Sequence, residues 1–362
     1  MSSKAPKMIA SLTGLRAVAA LMVVIYHFSQ IGVHTYYDFG VLDTPVSLGF
    51  MGVDVFFVLS GFIMYYVYRD TFASAVRAND YGKFLRYRFA RLYPVHIVTL
   101  LFMLVLYWVA GHWFDYTPVD ASCYTPWSVA NNITLTHVWF PHVCAPNTPA
   151  WSISAEWFAY LLFPFACWAL IRAPRWVGIV LLPVAAIGAQ LLPSTNALFQ
   201  IATEFTLGMA FAHLSATYGL SARLGKFGSL AAAAAFLASL YILQHRAPLV
   251  HATLAGIAIV ALANPRDLGG RVLSLKVPVF LGEISYSIYM CHWIVWSTLR
   301  HAGPRFIPWL GVTPLALIGL ALVTTLAVST AAYYLIEVPG REYLRRRPVR
   351  SLATRPESAP AS

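Results

Sequence analysis

Long apolar runs recur along the whole chain, separated by short polar stretches. Ten stand out, at 9–28, 48–68, 92–112, 151–171, 176–192, 198–218, 228–243, 250–264, 279–299 and 313–336. A run of about 20 apolar residues spans a hydrocarbon core. In lipid the backbone must satisfy its own polar groups, so each such run predicts a helix. The pattern predicts an all-α fold, a polytopic integral membrane bundle of about ten transmembrane helices. Its longest polar stretches are a loop at 69–91, an outer loop at 113–150 and the tail. Residues 1–340 read as one membrane domain, and 341–362 as a basic, disordered tail.

Composition strengthens this picture. Of 362 residues 59% are hydrophobic and 11% charged, against about a quarter charged in a soluble domain. The net charge of +11 invites a nucleic-acid reading, but its distribution argues otherwise. With the N-terminus inside, every Lys and Arg except Arg246, Arg300 and Arg305 falls in or near a cytoplasmic segment. That asymmetry is the positive-inside rule. An even number of spans puts both termini in the cytoplasm.

The apolar run after Lys7 resembles a signal peptide. It is long enough to span, holds Arg16 and His27, and has no prompt small-residue cleavage site, so a retained first helix is expected. Of the four cysteines, Cys167 and Cys291 fall within spans, where a thiol acts as a small apolar group. Cys123 and Cys144 share the outer loop, where an oxidising compartment permits a disulfide.

Ionisable groups inside spans are costly and mark candidate chemistry. Here they are Arg16, His27, Asp54, Glu156, Glu204, His213, Glu283 and His292. Arg16 and His27 are 11 residues apart on one helix, which is nearly three full turns. They share a face at a separation of about 16 Å, too far to touch. Such a pair suits a long ligand held at one end and reacting at the other. Counting along the helices puts His27, Asp54 and Glu156 at similar depths in the outer half of the bilayer. A shared polar pocket is the expectation, with a carboxylate partner turning the imidazole into a general base. The plainer alternative is a polar cluster that only locks helices together. Arg86, Arg88 and Arg91 in the loop 69–91 can hold topology or clamp phosphate through their donor forks. His292, near Tyr286 and Tyr289, reads first as a hydrogen-bonded packing histidine and second as pocket lining.

Five segments then carry a resemblance. They are Leu12-Thr13-Gly14-Leu15-Arg16-Ala17 with Tyr26-His27-Phe28; Gly52 to Phe62, reading GVDVFFVLSGF; Arg88 to Pro94, reading RFARLYP; Trp151 to Trp157, reading WSISAEW; and Leu281 to Tyr289, reading LGEISYSIY, with His292. In this order and spacing the chain resembles the acyltransferase-3 family of membrane acyltransferases, which O-acylate bacterial surface glycans and some small molecules. The resemblance implies a catalytic role for His27, with Asp54 and Glu156 in characteristic motifs. It implies acyl-CoA contacts from Arg16, Arg88 and Arg91. Ser60, Trp151, Ser154, Tyr286, Tyr289 and His292 are then expected to line the substrate pocket. No metal is implied.

The expected reaction moves an acyl group, acetyl by preference, from cytoplasmic acetyl-CoA to a hydroxyl of a glycan such as an exopolysaccharide or O-antigen unit. His27 is the expected base, with Asp54 or Glu156 orienting it. The expected location is the cell inner membrane, among membrane lipid. Two other readings compete: acylation of a macrolide or other small metabolite, and a transporter or flippase of a lipid-linked glycan.

Overall fold

The computed structural model describes residues 9–30, 39–114, 121–191, 196–310 and 313–346. Among them there is no strand. Twelve helices carry the architecture: α1 (Ala10–Phe28), α2 (Gly52–Phe72), α3 (Ala78–Phe114), α4 (Trp151–Arg172), α5 (Val177–Leu191), α6 (Ala197–Tyr218), α7 (Gly228–Leu243), α8 (Pro248–Leu262), α9 (Lys276–Glu283), α10 (Ser285–Leu310), α11 (Pro314–Ala332) and α12 (Val338–Arg346). All ten apolar runs are helical. Five described segments are long and apolar enough to cross a membrane: Ala10–Phe28, Gly49–Phe72, Ala78–Trp113, Thr148–Arg172 and Leu315–Arg346. Their outward faces are apolar too. Leu101, Phe102, Val105 and Trp108 on α3 and Leu320 and Val323 on α11 are all exposed. An exposed apolar surface of this extent suits lipid rather than water.

Two expected boundaries move. Residues 78–91 are helix, continuous with α3, not loop. Their polarity suggested a loop, but 37 residues make a helix of about 55 Å, far longer than the hydrocarbon core. The polar part therefore projects beyond the apolar part without ending the helix. At the other end, α12 carries helical structure to Arg346, and 347–362 lie outside the described residues.

Apolar side chains gain little by leaving lipid for each other, so packing detail and buried hydrogen bonds must hold the helices together. Phe72, Phe84 and Phe163 from α2, α3 and α4 are fully buried against one another and against Tyr68. The α2–α6 seam needs bare backbone. A methyl on Gly208 would lie 1.9 Å from the carbonyl oxygen of Val58. α1 is clamped the same way from two sides. A methyl on Gly52 would lie 2.4 Å from the Ala19 carbonyl, and one on Gly282 would lie 1.8 Å from that of Thr13.

Contacts at the ends pair the helices. At one end Arg172 donates to the carbonyls of Ala73 and Ser74, and Ser11 Oγ donates to that of Leu262 at 2.6 Å. At the other, Gln190 donates to the Arg246 carbonyl at 3.1 Å. Residues 121–150 form a cap there. Cys123 and Cys144 are joined in a disulfide, and Asn132 donates to the Cys144 carbonyl at 2.9 Å. The cap is fastened to the bundle by His96 Nε2–H to the Asn132 carbonyl (2.8 Å) and Asn147 Nδ2–H to the Met290 carbonyl (3.1 Å). Trp139 Nε1–H to the Ser154 carbonyl (3.2 Å) completes the attachment.

Candidate active site

His27 stands in the last turn of α1, and His292 is fully buried in α10. His292 Nδ1 lies 2.7 Å from the Tyr289 carbonyl, three residues back on its own helix. A carbonyl only accepts, so Nδ1 carries the hydrogen, and in a neutral ring Nε2 is left as an acceptor. That Nε2 lies 3.1 Å from Nδ1 of His27. The bond needs a hydrogen on His27 Nδ1, which leaves His27 Nε2 with a free lone pair. The relay therefore selects one tautomer of His27, with the hydrogen on Nδ1 and the lone pair on Nε2. Trp296 Nε1–H donates to the His27 carbonyl at 2.7 Å, and Trp293 meets the imidazole edge-on at 5.2 Å between ring centroids. These contacts hold the last turn of α1 against α10.

The carboxylates expected beside His27 are elsewhere. Asp54 Oδ1 accepts from Gln200 Nε2 at 2.7 Å and faces Glu204, both on α6. Glu156 accepts from Ser60 Oγ at 2.8 Å and from the Tyr160 hydroxyl. The expected contact of His27 with Asp54 or Glu156 is thus corrected: among the described residues its imidazole meets His292 instead. Depth counting fixes position along a helix but not the direction a side chain faces, and both carboxylates face other helices.

A second centre forms around Arg16. Its electrostatic neighbours are Arg91, Glu337, Glu156 and Tyr160. Glu337 was not anticipated. It lies at the end of a π-helical turn, Tyr333–Glu337, and is 3% exposed. Such turns inside α-helices recur at functional sites. Its carboxylate accepts from Ser287 Oγ at 2.7 Å, lies 3.9 Å from Arg341 Nη1, and interacts with Arg91 and Arg16. Arg88, one turn before Arg91 on α3, is buried. It donates to Met64 Sδ at 3.7 Å and to the Tyr68 hydroxyl at 3.2 Å, and stacks over the rings of Tyr68 and Tyr160. Arg16, Arg88 and Arg91 thus gather in one region, with Glu156 and Glu337 as counter-charges.

The remaining expected pocket residues divide. Ser60 joins the second centre through Glu156. Tyr289 links the first centre to the cap: its hydroxyl donates to the Pro149 carbonyl at 3.0 Å and meets Ser152 Oγ at 2.8 Å. Trp151 opens α4 with its ring edge-on to Phe57. Tyr286 donates its hydroxyl to the Leu92 carbonyl and ties α10 to α3. Ser154 is fully buried, and its hydroxyl donates to the Leu135 carbonyl at 2.8 Å while accepting from Val138 N–H at 3.3 Å. It faces the cap and both its capacities are used there.

Two centres on one helix, a tautomer-fixed imidazole and a cluster of guanidiniums about 16 Å away, suit a long anionic ligand with a reactive end. Comparison with known proteins identifies the family. The family described as an acyltransferase domain, Acyl_transf_3, matches residues 9–334. The chain is 29% identical to acyltransferase MdmB of Streptomyces mycarofaciens over 96% of its length and 95% of the relative's. It is 22% identical to O-acetyltransferase OatA of Staphylococcus aureus over 93% of its own length and 58% of the relative's. No solved structure matches. The chain belongs to the acyltransferase-3 family and is a membrane-type acyltransferase that transfers groups other than aminoacyl groups.

Proposed function

We propose that the chain transfers an acetyl group from cytoplasmic acetyl-CoA to a hydroxyl of a glycan reached from the opposite face of the cell inner membrane, with His27 as general base. The observation that carries this reading is the His27–His292–Tyr289 relay, which leaves His27 Nε2 bare. The donor's phosphates meet Arg16, Arg88 and Arg91, and its arm runs along α1 towards His27. On the sequence expectation of ten spans with both termini in the cytoplasm, the donor enters at the basic end.

In the reaction His27 Nε2 takes the proton of the acceptor hydroxyl as its oxygen attacks the thioester carbonyl. The tetrahedral intermediate collapses, the carbon–sulfur bond breaks, and the imidazolium returns its proton to the departing thiolate. Ester and free thiol result. His292 accepts from His27 Nδ1 throughout and keeps the imidazole oriented, as a third group does in other nucleophile–base pairs.

A second reading, acylation of a macrolide or other small metabolite, has the end-to-end match to the Streptomyces acyltransferase in its favour. The test compares surface glycan O-acetylation in cells carrying wild-type or His27→Ala protein at equal membrane levels. Loss of acetyl ester supports the base assignment, and wild-type acetylation in the variant sinks it. Loss of O-acetyl from a secreted metabolite, with the glycan unchanged, selects the second reading.

A further inference from the structure

A cavity of about 700 Å³ opens where α1 begins and α2, α6 and α8 end. It is separate from both centres. Along α2, its lining residues Phe62, Tyr65, Tyr66 and Arg69 occupy one face. Ser60, Met64 and Tyr68, which meet Glu156 and Arg88, occupy the opposite one. The helical period of 100° per residue puts the two sets about 150° apart.

The lining has a consistent chemistry. Ile9, Phe62 and Leu262 form apolar wall, and Arg69 and Arg271 supply two guanidiniums. No carboxylate is among the described lining residues. Among the described residues Arg69 pairs with one acid, Asp70 at 3.5 Å, whose side chain is 89% exposed. An exposed pair of this kind holds its cation only weakly. Arg271 is exposed and forms no ion pair among the described residues. The first turn of α1 adds to this, because Ile9, Ala10 and Ser11 line the cavity. Among the described residues no side chain caps this turn at Ile9, and Ser11 Oγ is already committed to the Leu262 carbonyl. A 19-residue helix therefore presents its positive end here, beside two cations.

We propose that this cavity binds a phosphate ester, held by Arg69, Arg271 and the start of α1, with its apolar portion against Phe62 and Leu262. Two sources share that chemistry: the headgroup of an anionic phospholipid and a soluble phosphate ester. Basic pockets between membrane helices on the positive side bind anionic headgroups, and the exposed Tyr66 ring suits the interfacial zone. The proposal does not depend on the acyl-transfer reading, because neither centre contributes a residue to the cavity.

The test is ligand-dependent thermal stability of the purified protein. The probes are phosphatidylglycerol or phosphatidylcholine in mixed micelles, and glycerol 3-phosphate in solution. A rise in unfolding midpoint with phosphatidylglycerol but not phosphatidylcholine supports the lipid source. A rise with glycerol 3-phosphate supports the soluble one. In Arg69→Gln/Arg271→Gln the apparent affinity should fall on the order of 10–100-fold, the loss of two charge-assisted bonds weakened by their exposure to solvent. Arg271→Gln alone, at an exposed position, gives a folded background with a smaller fall. Ala216→Phe blocks the cavity without changing charge and should abolish the effect. No rise with any phosphate probe, or an equal rise in the double variant, overturns the proposal. All readouts are of binding, so an inactive acyltransferase would leave them interpretable.

Discussion

His27 and His292 share one hydrogen bond, Nδ1 to Nε2 at 3.1 Å, and it joins α1 to α10 at the reactive end of the proposed site. His292 can do this only because Tyr289 fixes its own hydrogen. In His292→Phe the acceptor is gone and His27 samples both tautomers. Turnover should fall on the order of 10–100-fold, part of the 10²–10⁴ that a positioned base contributes. His292→Gln, whose amide oxygen can still accept, should recover part of that loss. A packing role alone would show the reverse order, with Phe better tolerated, and kcat against pH would keep its wild-type shape.

Glu337 is buried among Arg16, Arg91 and Arg341. Removing one partner of a buried charge cluster costs about 3–5 kcal/mol, because the others are left uncompensated. Glu337→Ala should therefore lower the thermal midpoint in detergent markedly. Glu337→Gln keeps the bond from Ser287 and should lose less. Equal stability of wild type and Glu337→Ala would remove Glu337 from the cluster.

Two glycines make a matched pair. Gly208→Ala puts a methyl 1.9 Å from the backbone oxygen of Val58, so α2 and α6 must separate. A cost of about 1–3 kcal/mol, typical of overpacking, is expected. Gly319→Ala on α11 meets nothing within 4 Å and should be neutral or stabilising by up to about 1 kcal/mol. Unfolding midpoints of the two variants in one detergent check the contrast.

His137 lies in the cap, where burial and then the nearby His96 push it down to about 3. Its Nε2–H donates to the Ala150 carbonyl at 3.0 Å, and Nδ1 makes no hydrogen bond of ordinary geometry among the described residues. The folded value is below the ordinary 6.5, so the unfolded cap binds more protons between the two. Stability is full above about pH 6.5 and falls with acidification. From pH 6.5 to 5 the loss is about 2 kcal/mol, at 1.36 kcal/mol per pH unit. Hydrogen exchange over 121–150, corrected for intrinsic rates, should quicken at pH 5 in wild type. His137→Gln should flatten the dependence, and an unchanged wild-type exchange rate would count against it.

The helices were legible because apolar runs of spanning length have few alternatives in lipid. The 11-residue interval between Arg16 and His27 was legible because helical period converts it directly to a face and a distance. Orientation about each helix axis was not. Asp54 sits at an expected depth but turns to Gln200, an uncharged partner that a search for ionisable groups passes over. Glu337 lies one residue beyond the run 313–336, where an acid reads as ordinary helix-end polarity. Only the π-helical turn and the packing of α10 bring it inward. His292 was visible as a residue, but its pairing with His27 joins positions 265 apart in the chain.

The clamping of α1 by Gly52 and Gly282 has a consequence for what substitutions the helix tolerates. Bare backbone contact on two sides leaves no freedom to slide or swivel. One alanine inserted between Arg16 and His27 would then either carry the imidazole about 100° around the axis or force a local bulge. Length changes in this interval should be far more damaging than substitutions within it. The spacing acts as a reading frame for the site: out of register by one residue, every side chain survives and the alignment is lost.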